Sequence, residues 1–129
     1  MDLTLERPGD HLLIQSVTAD GMQIADCWYA GPLIVSASAL LTDWSAQRFD
    51  DLTELQLKPV FDLNPEVVLV GTGPKQMFPA PELLMCFYRR SIGVEFMSTH
   101  AACRTFNVLV SDHRNVVAAL LPPGPGTAD

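Results

Sequence analysis

Residues 93–121 read G-V-E-F-M-S-T-H-A-A-C-R-T-F-N-V-L-V-S-D-H-R-N-V-V-A-A-L-L. This stretch limits the fold more than any other, because three structural elements are written in it with almost no connecting sequence. Gly93 releases the chain into a strand over residues 94–97. Ser98 or Thr99 then caps a helix, since a short hydroxyl side chain can accept a hydrogen bond from a first-turn amide. Ala102, Phe106 and Leu109 or Val110 recur at helical spacing, Asn115 marks the end, and residues 116–121 form a last strand.

The preceding sequence extends this alternation. Val67-Val68-Leu69-Val70 is apolar on both faces, as expected of a strand in the middle of a sheet covered on both sides. Pro79 and Pro81 open a helix that continues from Glu82, because a first turn has no use for the amide that proline lacks. Its inward face is predicted to carry Leu83 with Phe87 and Leu84 with Tyr88, while Arg89 and Arg90 lie at the negative end of the helix dipole. Further upstream, residues 11–17 and 22–29 flank Ala19-Asp20-Gly21 and predict a β-hairpin. Gly31-Pro32 interrupts, and Leu33-Ile34-Val35 supplies a third strand. Thr53 and Gln56 suit the start of a short helix that Pro59 limits. Residues 40–51 show no clear pattern.

Strands followed by alternating strands and helices indicate one α/β domain over residues 10–121, with residues 1–9 as an N-terminal extension and 122–129 as a flexible Pro/Gly tail. With 129 residues, 48% of them hydrophobic and 18% charged, the chain can bury one core. The formal net charge is -7, and the excess acid lies entirely in the first half. That charge disfavours non-specific binding to phosphate backbones and anionic lipid surfaces, so no nucleic-acid partner is expected, and with no run approaching membrane-spanning length no integral membrane segment is expected. Residues 1–10 lack the basic start and apolar run of a secretory signal. Cys27, Cys86 and Cys103 are odd in number and widely spaced, as expected of reduced thiols in a cytoplasmic protein.

Three runs carry a family resemblance: Val68-Leu69-Val70-Gly71-Thr72-Gly73, Gly93-Val94-Glu95-Phe96-Met97, and Thr99 followed by Ala101-Ala102-Cys103-Arg104-Thr105-Phe106-Asn107 and Leu109. Together they resemble the Mth-domain family, over about residues 10–121 and most strongly from Glu66. The resemblance implies a three-layer α/β fold, with a mixed central sheet, helices on one side and a small antiparallel β layer on the other. Members of that family are largely of unknown function and include a mitochondrial complex I assembly factor that works by association with other proteins. What the resemblance implies here is a protein partner; it offers no established catalytic residues to carry over, and no cofactor is expected.

The residues themselves leave several readings open. The loop Gly71-Thr72-Gly73-Pro74-Lys75-Gln76 suits a tight packing turn. It also suits an anion pocket formed by Thr72, Gly73 and Lys75, to which Arg104 could contribute. Gln76 stands where a dinucleotide fingerprint needs its third glycine, and the Gly-Lys-Ser/Thr of a phosphate-binding P-loop is absent. Arg104 is read either as tied to Glu95, with Thr99 and Asn107 nearby, or as an exposed anion-recognition group. Arg89 and Arg90 could join Lys75 in a basic rim. Cys103 on an alanine-rich helix face suits a small buried hydrophobe, and His100 a solvated position. Met77, Met85 and Met97, with Trp28, Tyr29 and Trp44, are expected in packing roles. His11, His100, His113 and the cysteines lack metal-ligand spacing, so no metal is expected. Two functions therefore compete: a non-catalytic interaction or assembly domain, able also to self-associate, and a small anionic-ligand binder or unassigned enzyme using residues 71–75.

Overall fold

Val67-Val68-Leu69-Val70 forms the framework around which the rest assembles. In the computed structural model, which describes residues 11–125 in full and the backbone of residues 2–4, this run becomes β7 (Val67–Gly71). Before it come β1 (Asp2–Thr4), β2 (Ile14–Thr18), β3 (Gly21–Ile24), β4 (Cys27–Tyr29), β5 (Leu33–Ser36), β6 (Ala39–Leu41), a 3-10 turn (Phe49–Asp51) and α1 (Glu54–Phe61). After it come α2 (Pro81–Tyr88), β8 (Gly93–Met97), α3 (Thr99–Ser111) and β9 (Val116–Leu120).

Six strands form a mixed sheet in the order β1-β6-β5-β9-β7-β8. β7 runs parallel to both β8 and β9, whereas the remaining neighbours are antiparallel. β7 is thus interior, with the centre of the sheet held by β5 and β9. Every residue of β9 is buried, and its alternation sends Val116, Ala118 and Leu120 to one core and Val117 and Ala119 to the other.

Those two cores make the layers. On one face, Leu69 and Ala118 share a cluster with Phe106 of α3 and with Ile14, Met22 and Ile24 of the small antiparallel sheet β2-β3-β4. On the other, Val68, Val70 and Ala119 share a cluster with Leu57 and Val60 of α1 and Leu83 and Phe87 of α2. The expected mixed sheet with a small antiparallel layer is present. The structure adds that α3 lies on the same face as that layer, so helices flank both faces. Phe87 and Phe106 are each fully buried, and replacing either with alanine is expected to cost about 3–5 kcal/mol.

Local chemistry explains most boundaries. Thr53 and Gln56 form a capping box at the start of α1, and the helix continues two residues past Pro59, because proline removes only its own amide and crowds the turn before it. Ala80 precedes Pro81 at the first helical position of α2, and Ser98 Oγ accepts the Ala101 amide at the start of α3. The stretch expected to be one strand over residues 22–29 is instead β3 and β4, joined by Ala25 and Asp26 at φ +53° and +66°. Two consecutive left-handed residues make a tight hairpin turn, and neither residue advertises it as Asn-Gly would.

Packing departs from expectation at several side chains. Leu83 and Phe87 point inward, but Tyr88 is exposed. Met77, Met85 and Trp28 are also exposed, whereas Trp44 is buried with its indole N–H donating to the Gln56 carbonyl at 2.7 Å. Of the segment read as an N-terminal extension, residues 2–4 pair with β6 and residues 5–9 lie outside the described residues. Of the segment read as a tail, Pro123 is buried and the Gly124 carbonyl oxygen lies 3.3 Å from His100 Nε2; residues 126–129 lie outside the described residues.

Candidate functional site

The carboxyl ends of β7 and β9 meet the amino end of α3 at one side chain, Thr99. This threonine is fully buried. Its Oγ1 accepts the Gly73 amide at 2.9 Å and donates to the Leu121 carbonyl at 2.9 Å, while its own amide donates to the Gly73 carbonyl. Gly71 is required by the same junction, because a Cβ there would lie 2.9 Å from Thr99 Oγ1 and 3.0 Å from Thr99 Cα. Gly73 is required for its backbone, at φ +112°, a region that other residues rarely adopt.

The amides that a glycine nest would offer to an anion are already engaged. Thr72 N–H donates to the Met97 carbonyl at 2.8 Å, and Gly73 N–H is held by Thr99. Thr72 Oγ1 donates to the Lys75 carbonyl at 2.7 Å and accepts the Met77 amide at 3.2 Å. The first half of the loop is therefore a packing turn whose polar groups point into the protein.

Beyond Gly73 the chain turns outward. Pro74, Lys75, Gln76, Met77 and Phe78 are all exposed, although Gln76 reaches back to the Phe96 carbonyl of β8 at 2.9 Å. Arg48, Phe49, Asp50, Thr72, Pro74, Lys75 and Met77 line a cleft of about 240 Å³ beside this turn. Arg48 had no signal in the sequence, because it lies in the unpatterned stretch before α1 and reaches Lys75 only through the fold.

Arg104 lines no part of this cleft. It is exposed on α3, as Glu95 is on β8. Arg104 is engaged in an interaction of its own. Arg89 and Arg90 are likewise remote from Lys75, since both pair with Glu54 across the α1–α2 junction, at 3.3 and 2.6 Å. Arg90 also stacks over the Phe61 ring at 4.2 Å.

The remaining candidates have structural surroundings. Asn107 bridges α3 to β2, its Oδ1 accepting the Ile14 amide and its Nδ2 donating to the Ile14 carbonyl, both at 2.8 Å. It thereby replaces a neighbouring strand along that residue. Cys103 is buried beside Phe106 in the core, and desolvation pushes its thiol up to about 12, with the nearby Arg104 charge acting weakly in the opposite direction. A thiol so held stays protonated and unreactive near neutral pH.

A second groove, of about 540 Å³, is lined by Glu54, Leu55, Lys58, Phe61, Asp62 and Arg90 between α1 and α2. It is larger than the Lys75 cleft, but its charges are neutralised locally by the Lys58–Asp62 and Glu54–Arg90 pairs. Leu55 in its lining is 75% exposed, and on or before α2 Phe78 is 78% exposed, Tyr88 61% and Met85 46%. No described helix is long and apolar enough to cross a membrane.

Comparison with known proteins places this architecture. Residues 14–121 match the family described as a protein of unknown function, DUF498/DUF598. The 13 kDa major membrane protein of Francisella tularensis subsp. holarctica is 34% identical over 96 residues, covering 72% of this chain and 76% of that protein. NADH dehydrogenase (ubiquinone) 1 alpha subcomplex assembly factor 3 of Bos taurus is 33% identical over 119 residues, or 91% of this chain; the chain spans 64% of the bovine protein's length. The solution structure of a Bordetella pertussis Mth938-like domain superposes with a TM-score of 0.79 at 26% identity, covering 98% of this chain and 95% of that one. With nearly its whole described length matched in sequence and fold, the chain belongs to the DUF498/DUF598 family of Mth938-like domains.

Proposed function

We propose that this chain is a non-catalytic protein-interaction or assembly domain whose docking surface is the outer side of α1 and α2. The observation that carries the reading is the concentration of large exposed apolar side chains there. Met85 and Tyr88 are three residues apart on α2 and so share a face, Phe78 leads into that helix, and Leu55 stands on the adjacent α1. Single exposed apolar residues are ordinary, but a group of this kind on one layer marks an interaction surface. The bovine relative is an assembly factor of NADH dehydrogenase by name, which supports the same role and favours a respiratory complex as the setting.

The Francisella relative is a membrane protein by name. A cytoplasmic domain that works on a membrane-bound assembly accommodates both likenesses. The test is quantitative affinity capture of the tagged chain from gently solubilised cells, with Leu55→Ser/Phe78→Ser as the comparison. Specific partners recovered by the parent and lost by the double variant are expected. Equal recovery by both chains, or no specific partner for either, would overturn the reading.

A further inference from the structure

The cleft beside Lys75 occupies a position that open α/β sheets reserve for ligands. Thr72 and Gly73 follow the carboxyl end of β7, and Leu121 and Pro122 follow that of the parallel neighbour β9. Ligands of open α/β sheets bind in crevices outside the carboxyl ends of the strands. Here the crevice is the cleft of about 240 Å³ together with an adjoining one of about 170 Å³, which share Arg48, Phe49, Thr72 and Pro74.

Charge singles out the same place. Lys58, Arg89, Arg90 and Arg114 are each held in an ion pair, and Arg104 is engaged as well. Arg48 and Lys75 form no ion pair among the described residues, although the chain carries a net charge of -7, and both line this one cleft. Two unneutralised cations facing a common space, with Asp50 as the single acid in the lining, favour an anion. The guanidinium fork matches a planar carboxylate or a phosphate, and Lys75 adds a mobile point charge. Phe49, Met77 and Leu121 supply apolar wall. Even together the two cavities, of about 240 and 170 Å³, reach only the low end of the roughly 300–1,000 Å³ of sites for drug-sized molecules, so the occupant is small. The larger α1–α2 groove lacks this property, because its cations are already neutralised.

We infer that the Arg48–Lys75 cleft is a binding site for a small molecule bearing one carboxylate or phosphate group on a short apolar body. Recognition comes from the two side chains rather than from the Gly73 and Thr72 amides, which Thr99 and Met97 already hold. The site is separate from the proposed docking surface, so its failure would leave that surface standing.

The experiment is an amide-resolved NMR titration of the intact chain with sodium benzoate, sodium phosphate and, at matched ionic strength, sodium chloride. Saturable shifts at Arg48, Gly73, Lys75 and Gln76 with benzoate or phosphate, absent with chloride, are expected. Whichever probe saturates at lower concentration identifies the headgroup. Arg48→Gln and Lys75→Gln should each weaken binding by about tenfold, a loss of about 1.4 kcal/mol, while melting as the parent does because both side chains are exposed. Absence of saturation with either anion, equal shifts with chloride, or variants that titrate like the parent would each overturn the assignment.

Discussion

Residues 71–73 and residues 74–78 belong to one loop and have opposite physical characters. In the first segment every residue is buried, the glycines permit a close approach and an unusual backbone angle, and Thr99 takes up what the strand leaves unpaired. In the second, every residue is exposed, and the side chains offered to solvent are Lys75, Met77 and Phe78. The contrast teaches that glycine-rich sequence at a strand end is not by itself a ligand loop. Here the glycines serve assembly of β7, β9 and α3, and the groups able to meet another molecule come after them.

The largest expected effect lies in the buried segment. Thr99→Val keeps the shape but leaves the Gly73 amide and the Leu121 carbonyl without their partner, and each buried group so stranded costs about 1–3 kcal/mol. Urea denaturation should show a loss of roughly 2–4 kcal/mol, and a loss below about 0.5 kcal/mol would erase the contrast. Next comes Asn107→Leu, which strips both Ile14 backbone groups of their hydrogen bonds at the edge of the small sheet. About 1–2 kcal/mol is expected there, because water can reach part of the vacated site. Accelerated hydrogen exchange across β2 should accompany it.

The amino end of β7 sharpens the comparison by pH. Glu66 accepts hydrogen bonds from Arg114 and from the Asn115 amide, and these hold its carboxyl below the ordinary value of 4.5. A depressed folded pKa contributes stability that is fully present above the unfolded value and disappears as pH falls through the folded one. The melting difference between the parent and Glu66→Gln should therefore be constant near neutrality and close below pH 4.5. A difference that widened on acidification would contradict the hydrogen-bond assignment. Smallest of all is Phe78→Ser, expected within about 0.5 kcal/mol of the parent in thermal unfolding because the ring lies outside the core.

The two faces of the central sheet repeat the lesson on a larger scale. Both carry a closed core and apolar side chains exposed outside it, Leu55, Met85 and Tyr88 on α1 and α2 and Trp28 and Val108 on β4 and α3. The helical spacing that placed Leu83 and Phe87 inside was legible. It did not separate Leu84 from Tyr88, because burial on a two-turn helix depends on which neighbour covers its flank.

How much could be read depended on the range of the interaction. β7, α2, β8, α3 and β9 were legible because apolar periodicity, a proline at a first turn and a serine cap act over a few residues. The split between β3 and β4 was not, since Ala25 and Asp26 take up left-handed angles only when the flanking strands pair. The Thr99 junction was anticipated as structural but not in its bonding, which joins residues 26 and 22 positions apart.

Sequence alone thus determined the alternating elements from β7 to β9, their order and the acidic balance, which follow from local backbone preference and side-chain composition. Tertiary structure decided which charges meet. It took Arg89 and Arg90 to Glu54 and set Arg48 beside Lys75. Electrostatic attraction acts through space over a few ångströms, and only the folded chain establishes which distant residues come that close.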